Sequence, residues 1–167
     1  GDVYKRQIKQ GIDGLHGARI APYPVVGAVR GVALGGGMEL LLHTDASVIH
    51  AEARVGFPER NVGLFPAWSG PVRLLERLVE IGAPNPHATA FGVLLNVKPV
   101  PAVNVDFWRE HDEVIQSPDH VVEGALELVK KLADGYSAPA DAELPLTTDT
   151  LAYTCLLYTS PSPRDRG

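Results

Sequence analysis

Apolar residues in the first half of the chain fall into short runs separated by glycine and proline. Residues 24–30 and 46–51 are apolar without alternation, which is typical of strands buried on both faces. Between them, the glycine-rich segment 31–37 predicts a turn, and the apolar residues 38–43 predict a short buried helix that should begin at Gly36 or Gly37. We expect the two flanking segments to be neighbouring strands. Residues 54–57 form a third extended segment. This alternation of strand and helix predicts an α/β fold.

An amphipathic helix is predicted over residues 71–80. Val72, Leu75 and Val79 recur at helical spacing, with charged residues between them. A surface helix usually buries such an apolar stripe against the core. We therefore expect these three side chains to form the buried face of the helix.

The clearest helical pattern covers residues 118–134. Its apolar residues recur every three or four positions, and Gly135 is well placed to end the helix. Residues 8–19 and 87–97 carry weaker helical patterns. Residues 136–147 are rich in proline and alanine, and they predict a linker or an extended edge.

Composition narrows the class of protein. Hydrophobic residues make up 45% and charged residues 21%, and the net charge is −5, as in an ordinary soluble globular protein. The sequence has neither the basic stripe of a nucleic-acid-binding protein nor an apolar run of about 20 residues that would span a membrane. The single cysteine, Cys155, forms no internal disulfide, which favours a reducing, cytoplasmic location. The six histidines lack paired metal-ligand spacing, so no metal site is predicted.

The two ends of the chain differ from the middle. Residues 1–7 and 155–167 lack helical or strand periodicity, and both resemble translated sequencing-adapter tails. Such segments are set aside before a fold is predicted. We therefore expect one domain over residues 8–154 and poor packing of both ends, with a native disordered tail as the alternative for the C-terminal end.

The three consecutive glycines 35–37 precede the predicted helix 38–43. A backbone without side chains lets a ligand approach closely, and the first amides of a helix have no partners within it. Together these features can bind a negative charge, such as the oxyanion that develops on a thioester carbonyl. A tight turn that packs the helix on its strand is the alternative explanation.

Two glutamates follow the glycines. Glu39 lies in the first helical turn, where the helix dipole alone favours a carboxylate, but apolar neighbours suggest burial and a raised pKa. Glu59 follows Pro58 at the end of a predicted strand, where surface carboxylates are also common. If both reach one cleft, they could divide the roles of acid and base.

These residues resemble the enoyl-CoA hydratase/isomerase (crotonase) family. The resemblance is carried by residues 24–40, by Asp45, by Gly56-Phe-Pro-Glu59 and by Gly63-Leu-Phe-Pro66, and it is closest over residues 19–80. It implies a partial crotonase (ClpP/crotonase-like) spiral of ββα units, without the N-terminal half and the closing C-terminal helices. Residues 112–146 resemble, more weakly, the late segment of hydratase domains in bifunctional hydratase/3-hydroxyacyl-CoA dehydrogenase proteins.

The resemblance also implies roles for individual residues. Gly36 looks like a backbone donor to the thioester oxygen in the oxyanion hole. Glu39 and Glu59 look like the catalytic carboxylates, with Glu39 activating water for attack at C3 and Glu59 exchanging a proton at C2. The further substrate-binding positions it implies are Gly35, Gly37, Pro58 and Leu64. Ala67 and Ser69 stand where the family usually has glycine, and residues 98–110 do not fit the helix expected there.

The expected function is therefore the hydration of 2-enoyl-CoA to 3-hydroxyacyl-CoA in fatty-acid β-oxidation. The resemblance implies no cofactor beyond the coenzyme A thioester substrate. It implies a trimer-type homo-oligomer and a fused or separate 3-hydroxyacyl-CoA dehydrogenase as partners of the longer protein. An enoyl-CoA isomerase, another acyl-CoA enzyme of the family, and a catalytically incompetent fragment remain the alternatives.

Overall fold

The computed structural model describes residues 2–138, in which strands alternate with helices. The helices are α1 (Asp2–Arg19), α2 (Gly36–His43), α3 (Gly70–Glu80), α4 (Pro86–Leu95) and α5 (Val121–Ala133). The strands are β1 (Val26–Val29), β2 (Val32–Leu34), β3 (Ala46–His50), β4 (Arg54–Gly56), β5 (Val100–Pro101) and β6 (Glu113–Ile115). Short 3-10 turns cover Glu59–Val62, Ala102–Asn104 and Pro118–His120. The C-terminal segment 155–167 and most of the predicted linker lie outside the described residues.

The strands form two small sheets. In the first, β3 lies between β1 and β6 and runs parallel to both, with Val26 paired to Ala46. In the second, β4 lies between β2 and β5, parallel to β2 and antiparallel to β5. The predicted strands at 24–30 and 46–51 are therefore neighbours, and the helix between them begins at Gly36 as the glycine pattern predicts.

Helices cover both faces of the first sheet. Helix α5 packs on one face through Val121, Ala125 and Leu128, which contact Ala46 and Val48. The larger core lies on the other side, where α2, α3 and α4 enclose Met38, Phe57, Leu74, Leu78 and Leu94. Strand β3 is buried on both faces as predicted, because it is the central strand.

Strand β1 does not match the prediction of full burial. Ala28 is exposed and the other three residues are only half-buried. The reason is its position at the edge of the sheet among the described residues. The predicted glycine-rich turn 31–37 is also wrong in part, since it contains strand β2.

The predicted buried face of α3 is wrong. Val72 is 44% exposed and Val79 is 54% exposed. The helix instead packs against α2 through Leu74, Leu75 and Leu78. Both sets of residues have helical spacing and share Leu75, so the pattern alone did not distinguish the two faces.

Helix α1 begins at Asp2, earlier than the predicted start at residue 8. The side chains of Val3, Lys5, Arg6 and Gln7 are exposed. The origin of the two terminal segments in a sequencing adapter stays a prediction. At the other end, α5 is followed by Gly135 with a φ angle of 72°, which is the left-handed stop predicted for that helix.

A buried ionic network holds the C-terminal end of α2. Arg77 of α3 donates to the carbonyl oxygen of Leu41 at 3.4 Å, and Arg109 donates to that of Thr44 at 3.0 Å. Asp112, whose side chain is fully buried, accepts from the Arg77 side chain at 3.4 Å and from the Arg109 amide at 2.8 Å. Burial and the charge of Arg109 lower the pKa of Arg77 to about 10. The arginines thus bind the carbonyl oxygens of Leu41 in the last turn of α2 and of its C-cap residue Thr44, where helix carbonyls lack partners further along the helix.

None of the helices among residues 2–138 is long and apolar enough to cross a lipid bilayer. Within the same residues, no group of three or more histidine, cysteine, aspartate or glutamate side chains is arranged to hold a metal ion.

Candidate functional site

The site is built around the N-terminal end of α2. Gly35 precedes the helix with φ 55° and ψ −125°, a conformation that side chains strongly disfavour. Its amide donates to the carbonyl oxygen of Gly56 at 3.0 Å, and its carbonyl accepts from the Glu39 amide at 2.9 Å. The first bond ties the start of the helix to the end of β4, and the second is the first hydrogen bond of the helix itself. The amide of Gly36 belongs to the first helical turn, whose amides have no acceptor within the helix.

Glu39 lies in the first turn of α2 and is only 2% exposed. Its Oε1 atom accepts hydrogen bonds from the backbone amides of Trp68 at 2.8 Å and Gly70 at 2.9 Å. Burial raises the pKa of this carboxyl group, and the two amide donors act in the opposite direction because they favour the ionised form. The carboxyl group is thus buried but is bound by donors suited to its anion.

The two amides that bind Glu39 lie on either side of Ser69. Ser69 has φ 72° and ψ 7°, in the left-handed region, and it precedes α3. Successive amides around such a residue form a concave site for an anion. The Gly70 amide also lies at the N-terminal end of α3, where the helix dipole favours negative charge. The loop therefore provides a binding site for the carboxylate of Glu39.

Glu59 begins the 3-10 turn that follows Pro58, and its side chain lies against Gly35. A Cβ atom placed on Gly35 would be 3.0 Å from Oε1 of Glu59. The Oε2 atom is buried and has no hydrogen-bond partner in the described residues. Burial raises the pKa of Glu59, its own amide acts in the opposite direction, and the charge of Glu39 raises it further. The two predicted carboxyl groups are therefore close enough to interact electrostatically.

The other predicted positions differ in how closely they approach this pair of glutamates. A Cβ atom on Gly36 would lie 2.8 Å from the indole ring of Trp68, whereas Gly37 has open space where a Cβ would be. Pro58 is half-buried next to Glu59, and Leu64 is 61% exposed. The structure thus brings Gly35, Gly36 and the two glutamates together, while Leu64 lies on the open surface of the following loop.

Trp68 and Gly70 belong to the site although the sequence pattern did not indicate them. Both bind Glu39 through the backbone, and a backbone donor leaves no trace in residue type. The useful signal was the abundance of glycine and proline in residues 63–70, which is typical of loops whose backbone approaches a ligand closely.

His43, one turn after Glu39 in α2, was also not identified. It is 1% exposed, and its Nδ1 atom lies 2.7 Å from the carbonyl oxygen of Glu39. Its Nε2 atom is buried without a hydrogen-bond partner in the described residues. Burial lowers the pKa of the ring, which favours a neutral histidine behind the glutamate.

Comparisons with known proteins agree on one family. A family model described as enoyl-CoA hydratase/isomerase matches residues 4–143. Over 60 residues, or 36% of the chain, the sequence is 50% identical to the peroxisomal bifunctional enzyme of Cavia porcellus, of which these residues make up 8%.

Solved structures share the fold of this chain. An enoyl-CoA hydratase from Bacillus anthracis is similar with a TM-score of 0.65 and 23% identity, over 79% of this chain and 48% of that one. An enoyl-CoA hydratase subunit from Geobacillus kaustophilus is similar with a TM-score of 0.62 and 26% identity, over 96% of this chain and 63% of that one. The chain therefore spans about half to two thirds of the length of these structures and a small part of the bifunctional enzyme.

Proposed function

Because the chain belongs to the enoyl-CoA hydratase/isomerase family, we propose that Glu39 and Glu59 form an acid–base pair that hydrates a 2-enoyl-CoA thioester. The oxygen of water bonds to C3 while one of its protons passes to a carboxylate. The other carboxyl group gives a proton to C2, so that the product is a 3-hydroxyacyl-CoA and no proton is gained or lost overall. The chemistry requires one carboxylate and one carboxylic acid at the same time.

The difference between the surroundings of the two glutamates is the observation that carries this proposal. Burial raises the pKa of Glu39, but two loop amides bind its Oε1 atom and oppose that shift by favouring the ionised form, as a base requires. Glu59 has a buried oxygen without a partner, and the nearby charge of Glu39 favours its protonated form, as an acid requires. Unequal surroundings that separate the pKa values of paired carboxyl groups are typical of sites that run acid and base steps together.

The amide of Gly36 completes the proposed site as a donor to the thioester oxygen. Addition of water at C3 moves negative charge onto that oxygen before C2 is protonated. A fixed amide at a helix N-terminus stabilises such a charge without having to reorient. Gly35, Gly37 and Pro58 lie next to these groups, and we assign them to substrate binding together with Leu64.

The direct test replaces each glutamate in the full-length protein that contains this chain. Glu39→Gln and Glu59→Gln should each reduce the hydration of crotonyl-CoA about 10²–10⁴-fold, the usual contribution of a general acid or base. Binding of the thioester should change far less, since the proposed oxyanion donor is a backbone amide. Near-normal hydration by Glu39→Gln would contradict the water-activating role, and a double-bond isomerase that uses Glu59 alone would replace it.

The wider context follows from the product. A 3-hydroxyacyl-CoA is the substrate of a 3-hydroxyacyl-CoA dehydrogenase, so we assign the longer protein to fatty-acid β-oxidation with such an enzyme as a fused or separate partner. Similarity to a protein named a bifunctional enzyme supports this assignment. That relative is described as peroxisomal, and the cytoplasmic location and trimer-type assembly of this protein stay predictions.

A further inference from the structure

The indole ring of Trp68 occupies a notch between two helices. A Cβ atom on Gly11 of α1 would overlap the Nε1, Cδ1 and Cε2 atoms of the ring, and one on Gly36 of α2 would lie 2.8 Å from Cζ3. Gly14 and Gly17 of the same α1 helix have open space at the corresponding positions. Of the three glycines in α1, only Gly11 therefore lies where any side chain would overlap the ring.

The same residue reaches the catalytic carboxyl group through its backbone. The amide of Trp68 donates to Oε1 of Glu39 at 2.8 Å, and the next donor, Gly70, follows after Ser69 in its left-handed conformation. The left-handed conformation is unfavourable for serine, so other contacts must hold the loop in this conformation. The packing of the Trp68 ring against Gly11 and Gly36 can provide this support.

We propose that Trp68 and Gly11 are a pair of positioning residues: the ring in the Gly11–Gly36 notch holds the loop so that both amides point at Oε1 of Glu39. In this role the ring is not itself a reacting group. It acts through the loop on Glu39, and its contact with Gly36 fixes the proposed oxyanion donor beside that glutamate. The catalytic consequence rests on the function proposed above, whereas the contact between ring and helix does not.

The first experiment tests the contact without using activity. The protein is labelled with 5-fluorotryptophan, and the resonance of Trp68 is distinguished from that of Trp108 by its absence in Trp68→Phe. Gly11→Ala should shift the Trp68 resonance because the new methyl group displaces the ring. Gly14→Ala and Gly17→Ala, in the same helix, should leave it in place. An unchanged resonance in Gly11→Ala, or an equal shift in all three variants, would overturn the proposal.

The second experiment tests positioning of the carboxyl group. The amides of Trp68 and Gly70 are labelled with ¹⁵N, and their shifts are followed with pH as Glu39 ionises. Gly11→Ala should move the inflection to higher pH, because weaker amide donors favour the carboxylate less. Gly14→Ala should not move it. An inflection that stays fixed in Gly11→Ala would reduce Trp68 to a packing role and refute the proposal.

The third experiment measures turnover of crotonyl-CoA by the full-length protein. Trp68→Ala and Gly11→Ala should lower kcat by about 10- to 100-fold with little change in KM, since a small displacement of a catalytic group has effects of that size. Trp68→Phe should restore part of the loss. The double variant should be no worse than Trp68→Ala alone, because a methyl group cannot displace a ring that is absent. Additive losses would contradict a shared contact, while a wild-type protein without hydratase activity would refute only the proposed function.

Discussion

The amide nitrogen of Gly70 lies 2.9 Å from Oε1 of Glu39, so the first residue of one helix binds the carboxyl group of another. The approach leaves no space for a side chain: a Cβ atom on Gly70 would lie 2.6 Å from Cγ of Glu39 and 3.0 Å from the ring of Phe57. The relative placement of α2 and α3 is therefore part of the proposed catalytic geometry.

Gly70→Ala should displace Glu39 and reduce hydration of crotonyl-CoA by roughly 10²-fold or more, as expected for a misplaced catalytic group. Gly92→Ala is the matched control, because Gly92 lies within α4 and has open space around the added methyl group. That control should keep full activity and gain up to about 1 kcal/mol of stability from its better helix propensity. Turnover and thermal unfolding of both variants are the measurements, and equal turnover would contradict the role of Gly70.

Gly35→Ala should impair activity by moving Glu59. The substitution combines an unfavourable φ angle of 55° with a Cβ atom 3.0 Å from Oε1 of Glu59. Gly82→Ala separates these effects, since Gly82 has a φ angle of 69° but open space around the new atom. Gly82→Ala should lose about 1–2 kcal/mol of stability from backbone strain, and Gly35→Ala should lose at least as much because its ψ angle of −125° lies outside the left-handed helical region. Only Gly35→Ala should lose hydratase activity. If Gly82→Ala were equally inactive, strain alone would explain the effect.

Stability should depend on pH through Glu59. Burial raises its pKa above the ordinary value of 4.5. At a pH between the two values, the folded state therefore holds a proton that the unfolded chain has released. The resulting stabilisation is fully present below pH 4.5 and is lost as pH rises through the folded value. Glu59→Gln, which stays neutral, should therefore raise the free energy of unfolding at pH 8 and leave it nearly unchanged at pH 4. Glu52→Gln, at an exposed position, serves as the control, and an equal gain there would exclude burial as the cause.

Ser69→Gly should stabilise the protein by about 0.5–1 kcal/mol. Ser69 has a φ angle of 72°, which a residue with a Cβ atom adopts at a cost of roughly 1–2 kcal/mol, and part of the gain is offset by the greater freedom of glycine in the unfolded chain. The side chain makes no capping hydrogen bond that the substitution would remove. Ser69→Ala keeps the strain and should bring no gain. Chemical denaturation of the three proteins distinguishes a backbone effect from loss of the hydroxyl group.

Sequence patterns predicted those parts of the fold that depend on short stretches of the chain. The partial α/β crotonase-type fold is confirmed by the family match and by the solved structures. The apolar runs predicted that β1 and β3 are neighbours, and the glycines predicted the start of α2 at Gly36 or Gly37. Strand β6 was not predicted, because its only apolar residues, Val114 and Ile115, lie between polar residues on both sides.

The candidate site was only partly predictable for a physical reason. The glutamates are recognisable as residue types, but the groups that bind Glu39 are amides, which every residue except proline carries. The notch at Gly11 depends on a contact with Trp68, a residue distant in sequence. Residue type gives no direct signal for either feature, since each is created by the packing of α1, α2 and the loop before α3.

Helix α2 has only 8 residues, so its two ends move together. Arg77 binds the carbonyl oxygen of Leu41 in its final turn and Arg109 binds that of its C-cap residue Thr44, whereas Glu39 lies in its first turn. A rotation of the helix at the arginine end would carry the carboxyl group away from the amides that receive it. Substitutions at Arg109 should therefore alter the rate of the proposed hydration although this residue binds the opposite end of the helix from Glu39, and selection for activity should act on the loop that contains it as well as on the glutamates.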